Sequence, residues 1–136
     1  MAITPNEAQF LALAEAPDDQ PVVMLNLLKY KQQASDGEGS GEDAYRKYGQ
    51  AAVAMVEERG GTVLWMGRAD QILIGDPDED WDTVVLVQYP SRAAFLDMVS
   101  QPDYLKAHED RESGLERTVL VACTAMVDRL AGSATA

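Results

Sequence analysis

The sequence predicts an α+β domain: one antiparallel four-stranded sheet with helices on a single face, preceded by one extra helix. Three observations lead there. Four runs, Val22 to Leu28, Thr62 to Ile74, Thr83 to Tyr89 and Thr118 to Val127, are rich in β-branched and large apolar residues and bounded by turn formers, as strands are. Between the first and second runs, and between the third and fourth, apolar residues recur three and four apart, the spacing of a one-sided helix. The strand runs are apolar on both alternating faces, yet the helices are too few to cover two sides of a sheet. One sheet face therefore needs a partner, and a homodimer whose sheets close on each other is expected.

The leading helix spans Thr4 to Glu15, with Thr4 as N-cap, Pro5 at the first helical position and Glu7 three residues after the cap, a combination that satisfies the free N–H groups of a helix start. Phe10, Leu13 and Ala14 are expected to face inward. Pro17 stops this helix and Pro21 introduces the first strand. Residues 31–41 are polar, rich in Gly, Ser and Gln and without apolar periodicity, so a mobile loop is expected, one placed to gate a pocket between its two anchors. Its three alternating glycines make no phosphate loop, because no Lys follows at the needed spacing and they do not directly follow the strand.

Ser40 caps the next helix, in which Tyr45, Tyr48, Ala52, Met55 and Val56 share one face. Arg59 suits its last turn and Gly60 its left-handed C-cap. The second strand carries Gly67 in its middle, where a bulge or bend is expected. An acidic turn, Gly75 to Asp82, makes the second and third strands a hairpin. After Pro90, Ser91 caps a helix with Ala94, Phe95, Met98 and Val99 on one side, and Pro102 restarts a second helical piece through about Glu112. The tail at 131–136 is expected to be frayed and flexible.

After the leading helix the order is β-α-β-β-α-β, the pattern of a ferredoxin-like sandwich, here a single domain over residues 1–130. Its uncovered face carries Val84, Leu86, Leu120 and Met126 or their neighbours, too apolar to leave in water. At roughly 25 cal/mol per Å², several hundred Å² per subunit is worth on the order of 10 kcal/mol before association costs.

Charge and composition exclude several classes. A net charge of −12 with only 11 Lys and Arg opposes nucleic acid and anionic membrane as partners, since phosphate contacts need clustered basic residues. The first 20 residues lack the basic and apolar regions of a signal peptide and no run is long enough to span a membrane; a cytoplasmic protein is expected. One cysteine, Cys123, and one histidine cannot build a site of several Cys and His ligands, so no metal is expected. Cys123 is read as a small buried hydrophobe of the last strand. The acidic turn misses the spacing of a calcium loop and is read as a solvated hairpin tip. With no phosphate, dinucleotide or nucleophile motif, no cofactor is expected either.

Several residues could carry chemistry. Asn26 sits mid-strand on the face of Met24 and Leu28, where its amide must find a neighbouring backbone group or a ligand oxygen. Tyr45 and Tyr48 lie on one helix face as core packing or as pocket phenols, and Trp65 beside Gly67 could wall a cavity. His108, the one histidine, is the candidate catalytic base near neutral pH. Tyr104, His108, Arg111 and Glu112 fall within two helical turns, as a reactive cluster or as a solvated face with paired charges.

Taken together, Met24-Leu25-Asn26-Leu27-Leu28-Lys29, Tyr45-x-x-Tyr48, Gly60-Gly61 before a strand, Trp81-Asp82 before Val84 to Ser91, and Pro102-Asp103-Tyr104 followed by Arg111 resemble the dimeric α/β-barrel superfamily, within it a branch of short bacterial proteins of unassigned function. The similarity spans Val22 to Val127. It implies a ferredoxin-like fold, a barrel formed across a dimer and a pocket between helices and sheet. Arg111 matches the pattern and offers a planar fork suited to a carboxylate. The expected function is the binding of a small apolar or aromatic molecule by Asn26, Tyr45, Tyr48, Trp65, Tyr104 and Arg111. Relatives of this fold include cofactor-free monooxygenases, haem-degrading enzymes and isomerases, so an enzyme is the alternative, and a structural dimer without ligand is the third.

Overall fold

A computed structural model of the chain describes residues 3–130; the tail at 131–136 lies outside the described residues. The elements run α1 (Glu7–Glu15), β1 (Val22–Tyr30), α2 (Gly41–Glu58), β2 (Thr62–Arg68), β3 (Thr83–Tyr89), α3 (Arg92–Val99), α4 (Pro102–Gly114) and β4 (Leu115–Cys123). The four strands form one sheet in the order β2-β3-β1-β4. All three pairings are antiparallel, with Asn26 of central β1 opposite Val85 on one side and Leu120 on the other. The predicted α+β, ferredoxin-like sandwich with an extra leading helix is therefore the fold observed.

Local chemistry sets most boundaries. Ser40 and Asp43 close a capping box at the start of α2, and the Ser91 hydroxyl accepts from Ala94 N–H at the start of α3. Gly60 ends α2 at φ 77°, and Gly61 N–H reaches back to Val56 O at 2.9 Å. Elsewhere the boundaries move. The cap of α1 is Asn6, paired with Gln9, rather than Thr4, because an Asx side chain two residues later can satisfy the same N–H groups. No residue of α1 is buried: Phe10 and Ala14 are exposed and only Leu13 is half-buried. The second strand stops at Arg68 rather than Ile74, and the last starts at Leu115 and ends at Cys123, short of Val127. Leu115 is buried at the end of α4, so its apolar side chain enters the core as a strand residue. Cys123 is half-buried.

The bulge expected at Gly67 lies instead at Leu64, since Val63 opposes Val87 while Trp65 opposes the very next residue, Leu86. Gly67 serves the indole: a Cβ there would sit 2.2 Å from the Trp65 ring. A second close approach holds the helical layer. Where α2 begins beside the end of α4, a Cβ on Gly41 would lie 2.3 Å from Lys31 O and 2.5 Å from Gly114 O.

The loop before α2 has more anchors than its composition suggests. Lys31 N–H donates to Gly114 O at 2.8 Å, Ser35 N–H to Ser113 O at 3.0 Å, and Ala34 is buried. The acidic turn is likewise more than a solvated tip. Lys29 bridges Asp80 at 2.9 Å, Tyr30 N–H donates to Asp82 at 2.9 Å, and Arg117 reaches Asp80 while stacking 4.7 Å from the Trp81 ring.

Alternation divides the sheet. Val22, Met24 and Tyr89 turn to the helices and pack with Val56, Phe95, Met98 and Tyr104, while Val85 on the same face packs with Leu28 and Leu115. Val23, Leu25, Leu27, Val84, Leu86, Val119, Val121 and Trp65 share the other face by register, and no helix among the described residues covers it. Val84 and Leu86 stand where the strand pattern put them. Leu120 turns to the helices instead, opposite Asn26, and Met126 lies beyond β4.

Candidate functional site

Between the helix-side face of the sheet and the helices opens a cleft of about 1470 Å³. Sequence spacing explains its lining. In α2, Tyr45, Tyr48 and Ala52 are three and four apart; in α4, Tyr104, His108 and Arg111 are four and three apart. Both sets share one helix face each. Asn26 comes from β1 in the same alternation as Met24, and α1 lies across the cleft with Gln9, Phe10 and Leu13. All five tyrosines of the chain and its single histidine line this one space.

The rings form a continuous train. Tyr30 and Tyr45 centroids are 5.7 Å apart, Tyr45 and Tyr48 5.3 Å, Tyr48 and Tyr104 6.0 Å edge-on, and Tyr104 and His108 5.8 Å. The hydroxyls of Tyr48 and Tyr104 share a hydrogen bond at 2.9 Å, and Tyr30 donates to Thr83 at 3.0 Å. Burial pushes the Tyr45 phenol up to about 12, with the nearby Arg111 charge drawing it partly back. Burial raises Tyr48 well above its ordinary value, and Tyr104 adds to the effect. These phenols are neutral at physiological pH and act as donors and acceptors.

Arg111 is buried at 5% exposure. Its Nη1 donates to Ile3 O at 2.9 Å, and its guanidinium carbon lies 6.0 Å from the Tyr48 ring centroid. Asn26 Nδ2 donates to Met24 O and Val85 O at 3.3 and 3.4 Å, so a neighbouring backbone does hold its amide nitrogen. His108 is the least satisfied group. Both ring nitrogens are shut from water and have no hydrogen-bond partner among the described residues. Nε2 lies 3.2 Å from Glu112 Oε1, but off the line along which a ring N–H donates. Burial lowers the His108 pKa, Arg111 lowers it further and Glu112 opposes both, so the imidazole is neutral at pH 7, with one donor and one acceptor.

The structure thus brings Asn26, Tyr45, Tyr48, Tyr104, His108 and Arg111 together. Trp65 is not with them: the β2 bulge puts it on the opposite sheet face, 48% exposed. Residues 31–41 do not line the cleft, although their neighbours Tyr30 and Glu42 do. Tyr30 and Tyr89 line the cleft as well, beyond the residues that the sequence singles out. The signal was the alternation itself, since Tyr30 continues Asn26 and Leu28, and Tyr89 continues Val85 and Val87.

Comparison with known proteins adds the following. RPA0582 of Rhodopseudomonas palustris, a crystal structure of a protein of unknown function, is 34% identical over 93% of this chain and 98% of its own, with a TM-score of 0.86. A dabb family protein with a ferredoxin-like fold from Mesorhizobium loti is 15% identical over 80% of this chain and 100% of its own, TM-score 0.55. SnoaB, a cofactor-independent oxygenase of Streptomyces nogalater, is 15% identical over 80% and 96%, TM-score 0.54. At that identity the last two share the fold alone. No protein of curated function matches the chain. Residues 38–124 match the family described as Domain of unknown function (DUF1330); the chain belongs to that family, on the ferredoxin-like fold of the superfamily that its sequence resembles.

Proposed function

We propose that this protein is a homodimer that binds a small, mostly apolar or aromatic molecule in the cleft between sheet and helices. One observation carries the reading: every tyrosine and the single histidine line one largely apolar cleft, and both imidazole nitrogens there lack partners among the described residues. Tyrosine gives flat apolar area with a polar tip, and unsatisfied buried nitrogens cost roughly 1–3 kcal/mol each until something bonds them. The dimer reading rests on the uncovered sheet face, whose aliphatic residues and Trp65 gain from leaving water.

The test is an NMR titration with 2-naphthamide, a neutral aromatic probe, at up to millimolar concentration. Saturable shifts confined to the Asn26 amide and the rings of Tyr45, Tyr48 and Tyr104 are expected. Shifts confined to the open sheet face, or none with either this probe or its acid, would sink the reading. An enzyme is the second reading, favoured by the neutral imidazole of His108 beside the hydroxyl pair of Tyr48 and Tyr104, a set able to move a proton to or from a bound molecule.

A further inference from the structure

A buried cation is costly unless an anion or a full set of acceptors faces it. Arg111 is such a cation, and its surroundings are short of negative charge despite the chain's net −12. Among the described residues no carboxylate forms an ion pair with it. The cleft has two carboxylates in its lining, and both turn elsewhere: Glu42 to Arg46 at 3.5 Å, Glu112 to His108 at 3.2 Å. What Arg111 does hold is neutral: the Ile3 carbonyl through Nη1, with the Tyr45 phenol and the Tyr48 ring beside it. A neutral backbone oxygen uses one arm of a fork built for two parallel bonds.

Three residues before Arg111, on the same face of α4, stands His108, whose Nδ1 has no partner among the described residues and whose Nε2 meets only the off-line Glu112 oxygen. A guanidinium with spare donors and, three residues back on the same helix face, an imidazole N–H offer donors for the two oxygens of one carboxylate. A phosphate dianion fits less well. Of the two other cations of the lining, Arg46 is already shared between Glu42 and Asp43, and Arg92 stands at the start of α3, so no further lining cation stands on α4 beside Arg111 and His108 to meet a second negative charge.

We infer that Arg111 is the counter-ion of an absent ligand carboxylate: the molecule bound in the cleft is an apolar or aromatic monocarboxylate, its head held by Arg111 and His108 and its body by the tyrosines. This rests on the small-molecule reading above and narrows it to one ligand class. No bond is made or broken in the binding. As the carboxylate arrives, the Arg111 fork is filled and the Ile3 carbonyl becomes the weaker of two acceptors, so the segment before α1 is loosened by the ligand that it lies across.

Three probes with one naphthalene body separate the possibilities: 2-naphthoate, 2-naphthamide and 2-naphthyl phosphate, each titrated into the full chain near neutral pH, with the tyrosine ring signals reporting cleft binding. The inference expects 2-naphthoate to bind roughly tenfold or more tighter than the amide, as a charge-assisted hydrogen bond gives, and tighter than the phosphate. Arg111→Gln should erase the preference for the acid over the amide. If the amide enters the cleft and the acid binds no tighter, the carboxylate is wrong while the small-molecule reading stands. If the phosphate binds best, the anion is misassigned. If neither amide nor acid moves the tyrosine signals, both readings fall. Should Arg111→Gln fail to fold by circular dichroism, the acid–amide ratio in the parent chain still decides.

Discussion

The two faces of the sheet come from the same four strands and differ residue by residue. On β1, Met24, Asn26, Leu28 and Tyr30 turn to the helices while Val23, Leu25 and Leu27 turn away; on β3, Val85 and Tyr89 oppose Val84 and Leu86. The helix side collects groups that need partners, among them Asn26, Thr118 and the phenols of Tyr30 and Tyr89. The open side collects groups that need only area, and its polar members on the central strands, Lys29 and Gln88, stand near strand ends. A second layer can satisfy hydrogen bonds and the partner sheet of the proposed homodimer would bury area, so each face carries what such a neighbour could use.

The sharpest way to break this contrast is to put a charge at the centre of the open face. Leu86 lies between Leu25 and Trp65 by register. Leu86→Arg would bury an unpaired guanidinium in the proposed dimer interface, at roughly 3–5 kcal/mol per copy. Light scattering should then show a fall from about twice the chain mass of 14.8 kDa to that mass. A variant that keeps the parent's dimeric mass would show that the open face is not the interface.

A smaller effect, on the other side of the sheet, tests the helical layer. Gly41→Ala places a methyl 2.3 Å from the Lys31 carbonyl, and backbone cannot step aside cheaply, so a loss of roughly 1–3 kcal/mol and several degrees of Tm is expected. Gly49→Ala, in the same helix with nothing within 4 Å of the added carbon, should instead gain up to about 1 kcal/mol from helix propensity. Equal thermal shifts for the two would mean that the contact between the start of α2 and the end of α4 does not constrain the layer.

The strands, helix order and sandwich were legible because period two and period three-to-four are properties of the sequence itself. Asn26, Tyr45, Tyr48, Tyr104, His108 and Arg111 were legible for the same reason: each stands at the right spacing on its own element. Trp65 was not, because one extra residue at Leu64 reverses every later side chain in β2, and nothing local marks the place. The cap of α1 is not decided by local sequence, because Thr4 and Asn6 are both competent caps and the structure uses Asn6 with Gln9. Residues 31–40 look structureless because their order comes from distant acceptors, Ser113 and Gly114, at the end of α4.

The smallest expected effect isolates His108. Its pKa lies below the ordinary 6.5 because of burial first and the Arg111 charge second, with Glu112 opposing. An unfolded chain therefore takes up this proton at higher pH than the folded one does. Where the unfolded state binds more protons, stability rises with pH, so the contribution of His108 is fully present above pH 6.5 and is lost as pH falls through the folded value. The carboxyls of Asp43 and Asp80 are also held low, by hydrogen bonds from Ser40 and from Lys29 respectively, and their losses begin only at more acid pH. Denaturant melts of the parent across pH 6.5 should therefore slope downward on acidification, and His108→Gln should flatten that slope while leaving the more acid limb unchanged. The cleft groups beside the ring, Arg111, Tyr104 and Glu112, stay in place in both proteins, which keeps the difference assignable to the imidazole. A parent slope of the opposite sign would mean that the pairing with Glu112 outweighs burial and that the histidine is charged in the folded cleft. Such a cationic His108 could still hold a carboxylate, but it could no longer serve as the base that the enzyme reading requires.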